Sequence, residues 1–256
     1  MAIITFLSDF GESDHYVAAV KAKILSDNPN QIVVDISHNI AACDMAHGAY
    51  VLKSVFRDFP NGTIHIVAVN SAGQQGDKFI AVELEGHYFV CTDNGLLGLV
   101  SDAEATAYVD INPENISTTF PAKTHFASVA SRLAKGENIS AVGQPIDHFK
   151  KMLGRHLKAN KSLISGHVIR VDNYGNLITN IDKQTFDILS KQKTYNITFS
   201  RENSRRIHDN VHGVDAGDIF VIFNASGLLE IGINQGNASE LLGLGYDSPV
   251  TINFDE

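Results

Sequence analysis

The feature that most constrains the fold is a short apolar run, residues 3–7, that passes directly into the polar segment Ser8-Asp9-Phe10-Gly11. An apolar run followed by a glycine-containing loop predicts a buried parallel strand. Apolar residues then recur at helical spacing over residues 15–25, and Asp14 is placed to cap that helix. Ligands of open α/β sheets bind at the carboxyl ends of the strands. Asp9 is therefore either a loop cap or a carboxylate that accepts hydrogen bonds from vicinal hydroxyls, such as those of a ribose.

Strands and helices alternate through about residue 150. The apolar patterns predict strands at residues 31–36 and 63–69, helices at 44–56 and 127–133, and a hairpin that pairs residues 79–84 with residues 88–91. Alternation of this kind predicts an α/β domain with a mostly parallel sheet flanked by helices.

The pattern changes after a basic, apolar-poor segment, which we interpret as a solvated connection and which contains Lys150, Lys151, Arg155, Lys158 and Lys161. Short strands and turns follow at residues 167–171, 176–181, 194–199, 218–223, 228–233 and 250–254. They predict a smaller antiparallel β domain, either a barrel or a sandwich. We therefore place the α/β domain at residues 1–152, the β domain at 163–256 and a linker at about 153–162.

Composition excludes several classes of partner. The net charge of -9 argues against nonspecific nucleic-acid binding and against docking on an anionic membrane. No segment approaches the roughly 18 apolar residues that a membrane-spanning helix needs. Cys43 and Cys91 lack metal-ligand spacing and are expected to be buried free thiols in a reducing compartment. Together these features predict a cytoplasmic protein.

The β domain opens with a second cluster of polar residues. Asp172, Tyr174 and Asn176 occupy a glycine-containing turn between two apolar strands, where all three can point into one cleft. Asp172 is suited to hold an ammonium, and Asn176 a carboxylate or a further amine hydrogen. The alternative is an ordinary hairpin whose Asp and Asn only satisfy the geometry of the turn.

Common catalytic motifs are missing from the sequence. Residues 70–77 contain two glycines but lack the Gly-Lys-Ser/Thr of a P-loop, and no Gly-x-Gly-x-x-Gly follows the first strand. No Gly-x-Ser-x-Gly elbow supports acyl transfer. The eleven histidines show no metal-binding spacing, so we expect no metal. Asp35 and His38 share one predicted strand end, where packing is the ordinary interpretation of such a histidine.

Short motifs along nearly the whole chain resemble, in their order and spacing, those of the S-adenosylmethionine (SAM) hydroxide adenosyltransferase family. This family is related to the bacterial fluorinase and chlorinase. The matching motifs occupy residues 8–17, 34–38, 59–63, 93–97, 126–136 and 172–181. The resemblance implies an amino-terminal α/β domain, a carboxyl-terminal β domain and a homotrimer. In that assembly SAM would lie between the amino-terminal domain of one subunit and the carboxyl-terminal domain of its neighbour.

The resemblance also assigns roles to individual residues. Asp9 would bind the ribose hydroxyls, Asp172 and Asn176 the methionine end, and Tyr174 would lie beside the adenosine. The adenine would meet residues 224–226 and the turn at residues 234–238, which include Ser226 and Asn234. SAM would be the substrate or ligand, and no cofactor is implied.

The chemistry that the resemblance implies is an in-line attack at the ribose C5′ carbon that expels neutral methionine. Hydrolytic members use an Asp, an Arg and a His to activate water. Those positions fall here on Asn70, Asp77 and Pro121, so none of the three residues is retained. Loss of a general base costs about 10²–10⁴ in rate. Stand-ins for the missing cation and imidazole would be Lys78, Lys123 and His125.

Halogenation is not implied. The aromatic residue that the halide-using relatives carry at the Asp position is absent, and two tryptophans of the fluorinase pocket fall on Cys43 and Ile178. Three hypotheses follow. The leading one is a SAM hydrolase with an altered activating group. The second is a non-catalytic SAM or adenosine-binding module, and the third is a transferase with another nucleophile or nucleoside substrate.

Overall fold

The computed structural model describes residues 2–255. The chain divides into two compact units, Met1–Gly154 and Arg155–Glu256. Each unit contains a sheet of its own, the first with parallel strands and the second antiparallel. The prediction of an α/β fold followed by an antiparallel β fold is confirmed at this level.

The sheet of the first unit has seven strands in the order β2-β1-β3-β5-β4-β6-β7. They are β1 (Ile4–Ser8), β2 (Val33–Ser37), β3 (Ile64–Ala68), β4 (Phe79–Leu84), β5 (His87–Thr92), β6 (Ala107–Asp110) and β7 (Gln144–Pro145). Strands β2, β1, β3 and β5 are parallel, whereas β4 and β5 form the predicted hairpin and β6 and β7 add antiparallel pairs. The sheet is therefore mixed rather than mostly parallel.

Four α-helices accompany this sheet: α1 (Tyr16–Asp27), α2 (Met45–Lys53), α3 (Leu97–Val100) and α4 (Ala127–Ala134). Asp44 caps α2 by accepting the backbone N–H of His47 at 2.9 Å. The prediction that Asp14 caps α1 is wrong. His15 occupies the cap position without a side-chain hydrogen bond, because the chain is already helical there.

Alternate residues of the strands enter two apolar clusters. Phe6 and Ile66 pack in one cluster with Val20 of α1, whereas Leu7 packs in the other with Leu52 of α2. Successive strand side chains point to opposite faces of a sheet, so both faces of β1 are buried. Burial of each such side chain stabilises the fold by roughly 1.5–3 kcal/mol. The strand ends, where the polar residues lie, are held on this apolar frame.

The second unit contains an eight-stranded antiparallel sheet. Its strands are β8 (Lys158–Ala159), β9 (Leu163–Val171), β10 (Leu177–Asp182), β11 (Thr194–Phe199), β12 (Glu202–Ser204), β13 (Ile219–Phe223), β14 (Leu228–Ile233) and β15 (Pro249–Asp255). Their order is β12-β11-β15-β9-β10-β14-β13, with β8 paired to β9. Two short helices, α5 (Lys183–Leu189) and α6 (Ala238–Leu242), complete the unit.

Over residues 2–255, no helix is long and apolar enough to cross a membrane. Both cysteines are free. Cys91 is buried as predicted, but Cys43 is exposed because it lies in the loop that precedes α2.

Candidate active site

Parallel pairing brings the ends of three strands together. Ser8 of β1 is paired with Ala68 of β3, and Leu7 is paired with Ser37 of β2. The polar residues that follow these strands within two positions, Asp9, His38 and Asn70, therefore lie at one edge of the sheet. This is the edge at which α/β proteins bind ligands.

Asp9 is oriented by two backbone amides. Its Oδ2 accepts the N–H of Cys43 at 2.9 Å and the N–H of Asn70 at 3.0 Å. Both donors have left-handed backbones, with φ of 60° at Cys43 and 48° at Asn70. A non-glycine residue in that region costs roughly 1–3 kcal/mol, and such residues cluster at functional sites. Within residues 2–255, Oδ1 of Asp9 has no hydrogen-bond partner, so one carboxylate oxygen is open to a ligand.

Asp35 and His38 share a strand end, as predicted. His38 Nε2 lies 3.1 Å from Oδ1 of Asp35, and His38 Nδ1 lies 2.7 Å from Oγ of Ser8. Sequence reasoning did not include Ser8 in this group. The only signal was its position next to Asp9, since the Ser8–His38 contact depends on how β1 and β2 pair.

The loop that follows β3 contains Asp77. Its Oδ2 accepts the backbone N–H of Gln74 at 2.8 Å, and its Oδ1 forms an ion pair with Lys150. Burial alone would raise the pKa of Asp77, but the hydrogen bonds from Lys150 and Gln74 outweigh it and hold the pKa below its usual value. Asp77 is therefore a carboxylate at neutral pH.

Lys150 belongs to the basic segment that we interpreted as a solvated connection, and it ties two loops together. Its backbone N–H donates to Oδ1 of Asp93 at 2.7 Å while its ammonium contacts Asp77. Burial raises the pKa of Asp93 despite the bond from Lys150. The sequence suggested Lys78 as a stand-in cation. Its Nζ lies 3.6 Å from Oδ2 of Asp110.

The segment with Pro121 begins a π-helical turn, Ala122–Phe126, that leads into α4. Turns of this type are frequent at functional sites. Lys123 is exposed. His125 lies against the ring of Phe79, with centroids 5.3 Å apart, and its Nε2 is buried without a hydrogen-bond partner among the described residues. Burial lowers the pKa of His125, so its imidazole is neutral at pH 7.

This segment also borders the loop that carries Asp9. The ring of Phe120 lies 5.7 Å from that of Phe10 and 5.4 Å from that of Tyr16. The structure therefore places Phe120, the residue before Pro121, beside the segment that follows β1, and aromatic side chains line that boundary.

In the second unit, Asp172 organises the turn predicted from sequence. Its Oδ1 accepts the backbone N–H groups of Tyr174 and Asn176, both at 2.9 Å. Asn176 Nδ2 lies 3.3 Å from Oδ2 of Asp172 and 3.0 Å from Oε1 of Glu230. The turn thus uses Oδ1 of Asp172, while the side-chain amide of Asn176 contacts both Oδ2 of Asp172 and the carboxyl group of Glu230.

Glu230 was missed from sequence. Burial raises its pKa, and the Asp172 charge adds to that effect although amides of Asn224 and Asn176 oppose it. Asn224 Nδ2 donates to Oε2 at 3.1 Å, so Glu230 links the 172–176 turn to the 224–227 turn. The available signal was an acidic residue within an otherwise apolar strand, Leu228–Ile233.

The remaining predicted residues of this unit are spread more widely. Tyr174 is 77% exposed. Ser226 donates its backbone N–H to Oδ1 of Asn224 at 3.0 Å, which places it next to the Glu230 group. Asn234 donates its side-chain amide to the carbonyl of Val214 at 2.9 Å instead.

Comparison with known proteins assigns both units to one family. Residues 4–143 match the SAM hydroxide adenosyltransferase N-terminal domain, and residues 166–251 match the C-terminal domain of the same family. A protein of Methanocaldococcus jannaschii named (R)-S-adenosyl-L-methionine hydrolase is 27% identical over 268 residues, which cover 98% of this chain and 96% of that protein. A fluorinase from an Actinoplanes species is 26% identical over 216 residues, which cover 71% of this chain and 72% of the fluorinase.

A solved structure gives the same result for the fold. The crystal structure of an uncharacterized conserved protein from Thermotoga maritima has a TM-score of 0.89 and 30% sequence identity. The match covers 98% of this chain and all of that one. The chain therefore belongs to the SAM hydroxide adenosyltransferase family.

Proposed function

We propose that this protein binds SAM and hydrolyses it to adenosine and methionine. Two observations support this function: the family to which both units belong, and the relatives named (R)-S-adenosyl-L-methionine hydrolase that align over nearly the whole chain.

The observation that carries the proposal is the geometry of Asp9. One oxygen is fixed by the N–H groups of Cys43 and Asn70, and the other is open at the strand ends. An ionised carboxylate held in this way accepts hydrogen bonds from two neighbouring hydroxyls, which a ribose presents. Hydrogen bonds to a charged group are worth about 1.5–3 kcal/mol each. Asp9 thus suits the ribose of SAM.

We assign the methionine end of SAM to the second unit. Asp172 and Asn176 would bind its amino-acid group, because a carboxylate attracts the ammonium and an amide pairs with the carboxylate. Tyr174 would lie beside the adenosine, with Ser226 and Asn234 toward the adenine. Glu230 joins this set through Asn176 and places a second carboxyl group near the ammonium.

The proposed reaction is a displacement at C5′. The water oxygen forms a bond to C5′, the bond between C5′ and sulfur breaks, methionine leaves as a neutral thioether, and one water proton is released. Since the leaving group is good, the protein mainly positions the water and partly desolvates it. Asn70, Asp77 and Pro121 occupy the activating positions, and we expect turnover to be slow because Asn70 cannot take the proton.

A second function is favoured by the same three positions. Asp77 is engaged by Lys150 and Asn70 is an amide, so the protein would retain SAM or adenosine binding without turnover. Incubation of the purified protein with SAM, followed by quantification of adenosine and methionine, separates the two functions. Hydrolysis predicts equal amounts of both products; SAM that stays bound and intact would leave only the binding function.

We also propose the homotrimer and the cytoplasmic location that the sequence led us to expect. Two free cysteines are compatible with a reducing compartment. Light scattering on the purified protein would give three times the chain mass of 27.8 kDa for a trimer. A mass of one chain at micromolar concentration would contradict the assembly.

A further inference from the structure

A chain of four side chains runs from helix α1 to the strand end that precedes Asp9. Lys21 Nζ lies 2.5 Å from Oδ2 of Asp35, and Oδ1 of Asp35 lies 3.1 Å from Nε2 of His38. His38 Nδ1 lies 2.7 Å from Oγ of Ser8. Elements distant in sequence are thereby linked to the residue next to Asp9.

The polarity of each contact follows from the chemistry of the groups. Burial alone would raise the pKa of Asp35, but its contacts with Lys21 and His38 outweigh it and keep the pKa below its usual value. Asp35 is then an ionised acceptor. Its Oδ1 lies 3.1 Å from Nε2 of His38, a contact outside hydrogen-bond geometry among the described residues, and the attraction of the carboxylate favours the ring proton on that nitrogen. The other ring nitrogen, Nδ1, accepts the hydroxyl hydrogen of Ser8.

The order of groups is that of a Ser–His–Asp triad, in which an aspartate fixes the tautomer of a histidine. Ser8, however, is 0% exposed and lies in the buried strand β1. A nucleophile must reach its substrate, so this serine is not placed to attack one. The chain is placed to hold the backbone instead.

His38 in fact holds both ends of the loop that carries Asp9. Ser8 is bonded to its ring at one end, and Gly11 donates its backbone N–H to the carbonyl of His38 at 2.8 Å at the other. The hydroxyl of Ser8 also lies 3.5 Å from the backbone N–H of Phe10. Asp9 therefore sits on a main-chain segment that is anchored on His38 before and after it.

We infer that His38, with its tautomer set by Asp35, is a positioning residue that fixes the main chain of Asp9 for ligand binding. This inference rests on the proposed function, in which Asp9 binds the ribose. The two backbone amides fix the carboxylate of Asp9 from one side, and His38 fixes its main chain from the other. Without the chain of hydrogen bonds, Asp9 would have to be ordered by the ligand, which lowers affinity.

The first test is the tautomer of His38, measured by nitrogen-15 NMR of the ligand-free protein at neutral pH. We expect a preference for the proton on Nε2 over Nδ1 in the parent, and a loss of that preference in Asp35→Asn. A proton on Nδ1 in the parent would overturn the inference whether or not the protein binds any nucleoside.

The second test is adenosine affinity, measured by calorimetry for Asp35→Asn, Ser8→Ala and the double variant. We expect each single variant to bind about tenfold more weakly, the effect of about one hydrogen bond. The double variant should bind no more weakly than the weaker single one, because both changes break the same chain. Asp27→Asn is the matched control, since Asp27 pairs with Lys23 elsewhere on α1, and it should bind like the parent.

The outcomes are distinguishable from a failure of the proposed function. A parent protein that binds neither adenosine nor SAM would contradict the proposed function, and the tautomer measurement would still decide the inference. Tight binding by the parent with unchanged affinity in both single variants would overturn the inference and leave the proposed function intact.

Discussion

Asn70 donates its backbone N–H to Oδ2 of Asp9 at 3.0 Å while its own backbone is left-handed, with φ of 48°. Asn and Asp adopt this conformation more readily than most residues. Position 70 therefore has a backbone role in orienting Asp9 that an Asn fulfils as well as an Asp. In the proposed function, the residue that orients Asp9 is thus also the residue at one of the activating positions.

Substitutions at Cys43, whose backbone N–H is the second donor to Asp9, test the role of its left-handed backbone. Cys43→Val should destabilise the protein by about 1–3 kcal/mol, because a β-branched side chain is poorly accommodated at φ of 60°. Cys43→Gly should be neutral or slightly stabilising, since it keeps the N–H donated to Asp9. Urea unfolding measures both. Equal stability of the two variants would show that the left-handed conformation is not maintained in solution.

Restoration of the family's activating residues tests the assignment of the reacting end. Asn70→Asp, Asp77→Arg and Pro121→His, combined with Lys150→Met, should raise SAM hydrolysis by about 10²–10⁴. Lys150 must change as well, because its ammonium would repel the new guanidinium. The same variant without Lys150→Met is the control and should gain less. No gain from the fourfold variant would contradict the register assigned to these loops.

Much of the fold was predictable because hydrophobic periodicity is local. The strand ends at Asp9 and Asn70, the hairpin of β4 and β5, and the Asp172 turn all follow from short-range pattern. Strands of two or three residues, such as Lys158–Ala159, bury too few side chains to produce a pattern.

The contacts that complete the site were not predictable in the same way. Lys150 and Asp77 are separated by 73 residues, and Ser8 and His38 by 30, so each pairing exists only once the sheet and loops are assembled. The left-handed backbone at Cys43 has no sequence signal, since cysteine is not favoured there. Tertiary structure, rather than local sequence preference, determines these pairings and the backbone conformation of Cys43.

A substitution at Gly175 tests whether the residue that caps α6 packs against the Asp172 turn. Its φ is 82°, and an added Cβ would lie 2.1 Å from Oδ1 of Asn237, the residue that caps α6. Gly175→Ala should therefore cost about 2–4 kcal/mol from strain and overlap together. Gly217→Ala is the matched control, because Gly217 has φ of 89° with no atom within 4 Å of the added Cβ, and it should cost only about 1–2 kcal/mol. An equal loss of thermal stability in the two variants would contradict the close contact between Gly175 and Asn237.

A buried histidine gives the first unit a defined response to acid. His65 lies between Thr5 Oγ1 at 2.7 Å and His87 Nδ1 at 3.1 Å, and burial, with the charge of His87, lowers its pKa from 6.5 to about 3. The unfolded chain binds a proton near pH 6.5 and the folded chain does not. The stability from this group is therefore complete above pH 6.5 and is lost as the pH falls toward 3.

Between pH 7 and pH 5 this single group should remove about 2 kcal/mol from the free energy of unfolding. The double variant Thr5→Val with His65→Leu removes the titrating group and should show a correspondingly smaller pH dependence. Glu230 and Asp93 have raised pKa values and act in the opposite direction, so the comparison is between variant and parent. Identical pH dependence in both proteins would show that folding does not lower the pKa of His65.

The most direct measurement of the proposed function is hydrolysis of SAM in water labelled with oxygen-18, with both products identified by mass spectrometry. Attack of water at C5′ predicts equal amounts of methionine and adenosine, with the label on the 5′ oxygen of adenosine. Asp9→Ala should abolish the signal at SAM concentrations that saturate the parent. Intact SAM after prolonged incubation with a parent protein that binds it would contradict the account.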